Sequence, residues 1–142
     1  MRNQSQLPSI SFKEVDSNDL QFLYDLLLKR DPLANISHKK MPSYSEHIKF
    51  VKSKPYSKWY IIKRSKTKIG SIYLSKNDEV GIFLKKIFQE KGFASIALKL
   101  LIEKNPRKRY LANINPKNNL SKKFFKKNGF KLIQHTYELE FN

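Results

Sequence analysis

The sequence predicts one α/β domain, a mixed and mostly antiparallel sheet with helices on its faces. Three observations predict it. The 142 residues match the size of a single domain with one core. Apolar periodicity switches between the two-residue repeat of strands and the 3.6-residue repeat of helices, in the order β-α-α-β-β-β-α-β-α-β. Hydrophobic residues at 39% and aromatics at 13% supply a core that a disordered chain lacks, and no repeat or low-complexity linker divides it.

Residues 9–15 (SISFKEV) alternate through Ile10 and Phe12 towards Val15 and predict a first strand. A turn at residues 16–18 follows, with Ser17 or Asn18 as the expected helix cap. Leu20, Leu23, Tyr24, Leu27 and Leu28 then form one helical stripe, ended by Asp31-Pro32. Residues 35–43 (NISHKKMPS) are irregular. Ser43 or Ser45 opens a second helix with His47, Ile48, Phe50 and Val51 inward, closed by Pro55. Residues 58–63, 68–75 and 79–84 read as three strands with short turns, an antiparallel meander. A polar loop over residues 85–91 leads to Gly92 and a helix over 93–103, which Asn105-Pro106 ends. Residues 109–114 (RYLANI) predict another strand. Leu120, Phe124 and Phe125 mark a last helix stopped by Asn128-Gly129, and residues 130–141 finish with one or two strands.

Composition narrows the function. The chain has no cysteine, which excludes disulfides, thiolate nucleophiles and cysteine-ligated metals and fits a cytoplasmic location. No apolar run approaches the roughly 20 residues of a membrane span, and residues 1–8 lack the apolar centre of an export signal. The formal net charge of +17 favours anionic partners. The lysines are spread along the chain, as on a solvated basic surface. No helix-turn-helix, zinc finger or RNA-binding signature appears, so nucleic acid is not the expected partner. A basic nucleic-acid-binding module without catalysis is the non-enzyme alternative. His38, His47 and His135 are not at metal-ligand spacing, and no metal is expected.

The chemistry concentrates between residues 79 and 130. A strand runs into the loop Gln89-Glu90-Lys91-Gly92-Phe93-Ala94, which opens a helix and, with Ser95, makes up its first turn. A helix N-terminus offers unpaired N–H groups and a partial positive charge, and glycine lets backbone approach a ligand closely. Such a loop suits a diphosphate. On its own the pattern also fits an ordinary strand-to-helix loop. Downstream stands Asn118-x-x-Ser121-x-x-x-Phe125-x-x-x-Gly129-Phe130.

With both motifs in register, the chain resembles the GNAT N-acetyltransferases. The loop is similar to their (Gln/Arg)-x-x-Gly-x-(Gly/Ala) signature and the second run to their closing Asn-x-x-(Ala/Ser)-…-Gly-Phe signature. The resemblance implies a GNAT-like fold with splayed central strands, and acetyl-CoA as co-substrate. It implies that backbone groups of Ile82, Phe83 and Leu84 hold the pantetheine arm and that residues 89–95 hold the pyrophosphate. Asn115 and Asn118 should lie near the thioester. Phe125 stands where many members have a tyrosine that protonates the departing thiolate. A water, Tyr110 or Tyr137 then takes that role, or the thiolate leaves unassisted.

The attacking amine must be neutral, so a base is wanted. Glu79 and His38 are the candidates, with an exposed ion-paired glutamate and a surface histidine as the plainer readings. Residues 41–63 are similar to small bacterial acetyltransferases of nucleotide-linked amino sugars. A small anionic amine is therefore the expected acceptor, with a protein N-terminus or ribosomal protein as the alternative. No membrane partner is expected, and a homodimer stays open.

Overall fold

In the computed structural model, which describes residues 9–32 and 40–142, four strands pair in chain order as one antiparallel sheet. They are β1 (Ile10–Glu14), β2 (Lys58–Arg64), β3 (Thr67–Leu74) and β4 (Val80–Leu84). Turns hold β2 to β3 and β3 to β4 with short reach, so these strands form the meander that their alternation predicts. A register shift between Ile62 and Lys63 bends β2 near its end.

The period-2 pattern sends β2 side chains to two different cores. Tyr60 and Ile62 face one side, where they pack with Ile72, Leu74 and Val80 against Phe93, Ala97, Leu98 and Leu101 of α3 (Phe93–Lys104). Ile61 faces the other side, against Leu23 of α1 (Leu20–Leu28) and Val51 of α2 (Tyr44–Lys52). The sheet is thus the middle of three layers. A last helix, α4 (Asn119–Lys127), joins the α3 side through Phe124, with Phe130 just after it packing on the same core.

The helix ends follow from local chemistry. Ser43 caps α2 by accepting from the Glu46 amide at 3.1 Å, and Glu46 accepts from the Ser43 amide at 2.9 Å. These hydrogen bonds hold the Glu46 carboxyl below its usual pKa. At the first helix the cap is Asp16, not Ser17 or Asn18. Asp16 accepts from the Asn18 amide at 2.8 Å and opens a 3₁₀ turn, Ser17–Asp19, that runs into α1. Gly129, at φ +92°, ends α4 in the left-handed region, as its place after Asn128 predicts.

Two expected strands do not form. Residues 109–114 contribute a single parallel bridge, Glu79 to Leu111, and residues 130–141 lie outside every helix and strand. Both segments alternate as strands do. A strand also needs a partner edge, and beyond the Leu111 bridge residues 112–114 form no ladder with β4 among the described residues.

His47 is a core residue, 5% exposed, with its ring against Tyr24 and Tyr44. Its Nε2 meets no hydrogen-bond partner among the described residues. Burial lowers its pKa, against a backbone hydrogen bond at Leu20 that raises it. In the unfolded chain a histidine takes up its proton near pH 6.5, whereas the native ring does so only at lower pH. Its stabilising contribution is complete above about pH 6.5 and is lost as pH falls through the native value. The melting temperature should therefore drop between pH 7 and pH 5, and His47→Phe should flatten that slope. An unchanged slope in the variant would assign the effect elsewhere.

Candidate functional site: the open edge of the fourth strand

The inner edge of β4 is fully engaged by β3, from Leu74 opposite Val80 to Gly70 opposite Leu84. The outer edge is not. At its start the Val80 amide donates to the Leu111 carbonyl at 2.7 Å, and the Leu111 amide donates to Asp78 at 2.9 Å. Beyond that bridge no strand pairs with β4 on this side among the described residues. Backbone groups alternate sides along a strand. The Val80 amide points outward and the Lys85 amide inward, to Ile69 at 2.8 Å. It follows that the N–H and C=O of Ile82 and Leu84 face the open edge, while those of Phe83 face β3. Of the three backbone positions expected to line an arm-shaped ligand, two face the open edge and Phe83 does not. The Leu84 carbonyl already accepts from Gln89 Nε2 at 3.0 Å, which ties the following loop back to the strand.

That loop delivers a second feature. After a 3₁₀ turn, Lys86–Phe88, the chain passes through Glu90 and Gly92 in left-handed conformations, φ +58° and +87°, into α3. No side chain caps α3, so its first amides are not satisfied by the usual device. A Cβ on Gly92 would point into empty space. Phe93, Ala97, Leu98 and Leu101 anchor the helix in the core, which fixes its N-terminus beside the end of β4. Lys85, Lys86 and Lys91 flank the turn. Uncapped helix amides, positive-φ backbone and three cations suit a diphosphate. At the same place Ser95 Oγ accepts from Asn128 Nδ2 at 3.3 Å, joining α3 to the end of α4.

The remaining sequence-predicted residues take defined places. Glu79 sits at the head of β4. Its carboxylate accepts from Ser75 Oγ at 3.0 Å and from Asn113 Nδ2, so it links the β3–β4 turn to residues 111–113. Asn115 accepts from the Lys117 amide at 2.9 Å, and its carbonyl accepts from the Asn118 amide at 2.8 Å. Asn118 caps α4 through the Ser121 amide at 3.1 Å. Both asparagines thus build the turn between the diverging segment and α4. Phe125 is buried, its ring 5.0 Å from those of Phe124 and Phe130. His38 lies outside the described residues.

On the α1–α2 face of the sheet the structure gathers a group that sequence reasoning missed in part. The rings of Tyr56 and Tyr73 stack at 3.8 Å, nearly parallel. Arg30, just past α1, places its guanidinium 4.5 Å from the centre of the Phe83 ring on β4. Gly81 has no room for a Cβ because the Tyr73 ring lies over it. Burial pulls the Arg30 pKa down, which Tyr56 and Tyr73 partly oppose. Burial likewise pushes the Tyr56 and Tyr73 hydroxyls up from their ordinary value, so both stay neutral donors. The only sequence signal for this wall was the alternation that puts Tyr73 and Phe83 on one face of adjacent strands. Nothing local marked Arg30.

Among the described residues no three His, Cys, Asp or Glu side chains gather as a metal cage, and no helix is long and apolar enough to cross a membrane.

The acetyltransferase (GNAT) domain family matches residues 12–131. No curated protein matches closely enough to count as a relative. Solved structures share the fold. A domain from Methanocaldococcus jannaschii is 24% identical with a TM-score of 0.75, covering 93% of this chain and 94% of that one. A Salmonella typhimurium acetyl transferase that modifies the N-terminal serine of ribosomal protein L7/L12 is 21% identical, with a TM-score of 0.68 and coverage of 86% and 80%. The Vibrio cholerae spermidine N-acetyltransferase, in complex with CoA and spermine, is 17% identical, with a TM-score of 0.76 and coverage of 93% and 86%. With the open β4 edge, the uncapped α3 and a family match over most of its length, the chain belongs to the GNAT acetyltransferases.

Proposed function

We propose that this enzyme moves the acetyl group of acetyl-CoA to a primary amine by direct attack, and that the amine belongs to a nucleotide-linked amino sugar. The observation that carries the donor half is the continuous path from the open β4 edge to the N-terminus of α3. Outward groups of Ile82 and Leu84 suit the amide-bearing arm of coenzyme A, and residues 89–95 suit its diphosphate. The amine must shed a proton to attack. Glu79, at the head of the same strand, is the carboxylate assigned to receive it, and Asn115 belongs to the wall opposite.

The acceptor half rests on charge and on the aromatic wall. Arg30 beside the stacked Tyr56 and Tyr73 offers a cation and flat rings on the face of β4 away from α3. Those features suit an anionic, ring-bearing acceptor. A polyamine such as the spermine in the Vibrio complex would meet a chain of net charge +17. The second reading is acetylation of a ribosomal protein N-terminus. The fold shared with the Salmonella enzyme favours it, as does a basic surface that would approach RNA.

Nucleotide-linked 4-amino sugars, free amino sugars, spermidine and ribosomal-protein N-terminal peptides should be offered side by side. Free thiol release reads turnover without interference, because the chain has no cysteine of its own. The nucleotide-linked sugar is expected to win in kcat/KM, by about tenfold or more over the free sugar, since remote binding energy positions the amine. Its KM should rise with salt. Preferential turnover of the peptides would select the second reading.

A further inference from the structure

We propose that the outward face of α4 is a docking surface for the phosphate backbone of a nucleic acid. The inference rests on the placement of charge and stands apart from the acceptor question. The lysines of this chain are spread along it, but its carboxylates are not. Between Glu103 and Glu138 stand ten lysines and arginines and no aspartate or glutamate. All ten are exposed. Arg107 turns its charge to Asp78, at 3.1 Å. The densest group lies on α4.

Lys122, Lys123, Lys126 and Lys127 are exposed on that helix, while Phe124 is half-buried on the α3-side core and Phe125 is buried. At about 100° per residue the four lysines fall within an arc of about 140° and about 8 Å of helix length. Helix chemistry argues against such an arrangement. Lys122 with Lys126, and Lys123 with Lys127, are like charges at i,i+4 and repel. Lys122 also closes the first turn, where the helix dipole disfavours a cation and no acidic residue offsets it. A polyanion laid on this face would supply the opposite charge that the sequence withholds.

The kind of cation selects the kind of polyanion. All four are lysine. Arginine's planar fork suits carboxylates and base edges, whereas lysine is a point charge that meets phosphates whatever the sequence. Rows at i,i+4 repeat about every 6 Å along the helix, a regular array for a regular strand of phosphates. Lipid matches less well. A helix on a membrane surface sinks its apolar face into the bilayer, and α4 commits Phe124 and Phe125 to its own protein, with Leu120 left outward. Asn128 ties the end of α4 to Ser95 in the first turn of α3, so the coenzyme's phosphates are the anion to be told apart from the nucleic acid.

Anisotropy of a labelled single-stranded RNA oligonucleotide should report binding by the full chain that weakens as salt rises. A variant combining Lys122→Gln, Lys123→Gln, Lys126→Gln and Lys127→Gln should bind about tenfold or more weakly near about 0.1 M salt, with the slope of log affinity against log salt reduced by about 2–3. Its four positions are exposed, so it should keep its circular dichroism and its affinity for acetyl-CoA. A control combining Lys49→Gln, Lys52→Gln, Lys54→Gln and Lys66→Gln removes the same charge from other exposed positions and should stay within about threefold of the parent. Failure of the parent to bind RNA would overturn the proposal, as would equal losses in the two variants, which would mean diffuse attraction by net charge. So would tighter binding to phosphatidylserine–phosphatidylcholine vesicles than to RNA, which would assign the face to lipid. A matching loss of acetyl-CoA affinity in the α4 variant would assign the lysines to the donor site instead.

Discussion

Gly92→Glu is expected to weaken acetyl-CoA binding by about 10²–10³-fold, because a carboxylate against a diphosphate costs several kcal/mol. The fold makes this result separable from a damaged protein. Gly92 has φ +87°, so any side chain there is strained, by about 1–2 kcal/mol. Yet a Cβ at that position meets no atom within 4 Å, so the protein itself leaves room for it. Gly92→Ala should therefore show the same loss of melting temperature as Gly92→Glu and a much smaller loss of affinity. Calorimetric titration beside thermal melts reads both quantities. Equal affinities for the two variants would mean that the α3 N-terminus does not face the diphosphate.

The second large effect concerns the fold alone. Asp19 is fully buried, and its two oxygens accept from Lys13 Nζ at 2.6 Å and Lys68 Nζ at 2.7 Å. It also accepts from the Asp16 amide at 2.9 Å, closing the reciprocal cap before α1. Burial raises the Asp19 pKa, but the hydrogen bonds from the two lysines and the amide outweigh it, and the net shift is downward. Burial in turn opposes the charge on Lys13, and Asp19 and Asp16 more than restore it. Breaking an enclosed ion pair from one side costs about 3–5 kcal/mol. Here both lysines are about a third exposed, so part of that cost is screened. Asp19→Ala should lose about 2–4 kcal/mol in denaturant melts, while Lys13→Met or Lys68→Met alone should lose less, because the other lysine stays. A loss under 1 kcal/mol for Asp19→Ala would show that the cluster is ornamental to stability. The depressed Asp19 pKa adds stability that is present above about pH 4 and fades as pH falls through the native value.

Much of this architecture was legible in the sequence because its signals are local. The apolar repeat from Phe93 to Leu101 gives α3 within one residue of its observed end, and Ser43 with Glu46 announces the start of α2. The Gln89–Ala94 loop and the run from Asn118 to Phe130 carry the two family motifs in adjacent residues, and the donor side is proposed from them. What stayed hidden depends on partners far along the chain. Asp16 rather than Ser17 or Asn18 caps the first helix through a reciprocal box with Asp19, and the partner that meets buried Asp19 from the sheet, Lys68, is 49 residues away, where no local pattern reports it. Arg30 reaches the site only because the sheet brings Phe83 beneath it. Residues 109–114 and 130–141 carry strand patterns, but a ladder is a property of two segments, and among the described residues only the Glu79–Leu111 bridge forms. Alternation along β4 also refines the proposed donor site. It turns Ile82 and Leu84 to the open edge and commits Phe83 to β3.

That refinement gives the most direct test of the account. Amide hydrogen exchange should be followed residue by residue along β4, with and without acetyl-CoA. Without it, the Ile82 and Leu84 amides should exchange quickly and the Phe83 amide slowly, since only Phe83 has a ladder partner. With acetyl-CoA bound, Ile82 and Leu84 should slow markedly while Phe83 stays as it was. Unchanged exchange at Ile82 and Leu84 under saturating acetyl-CoA would contradict the claim that the open edge of β4 is where this enzyme holds its acetyl donor.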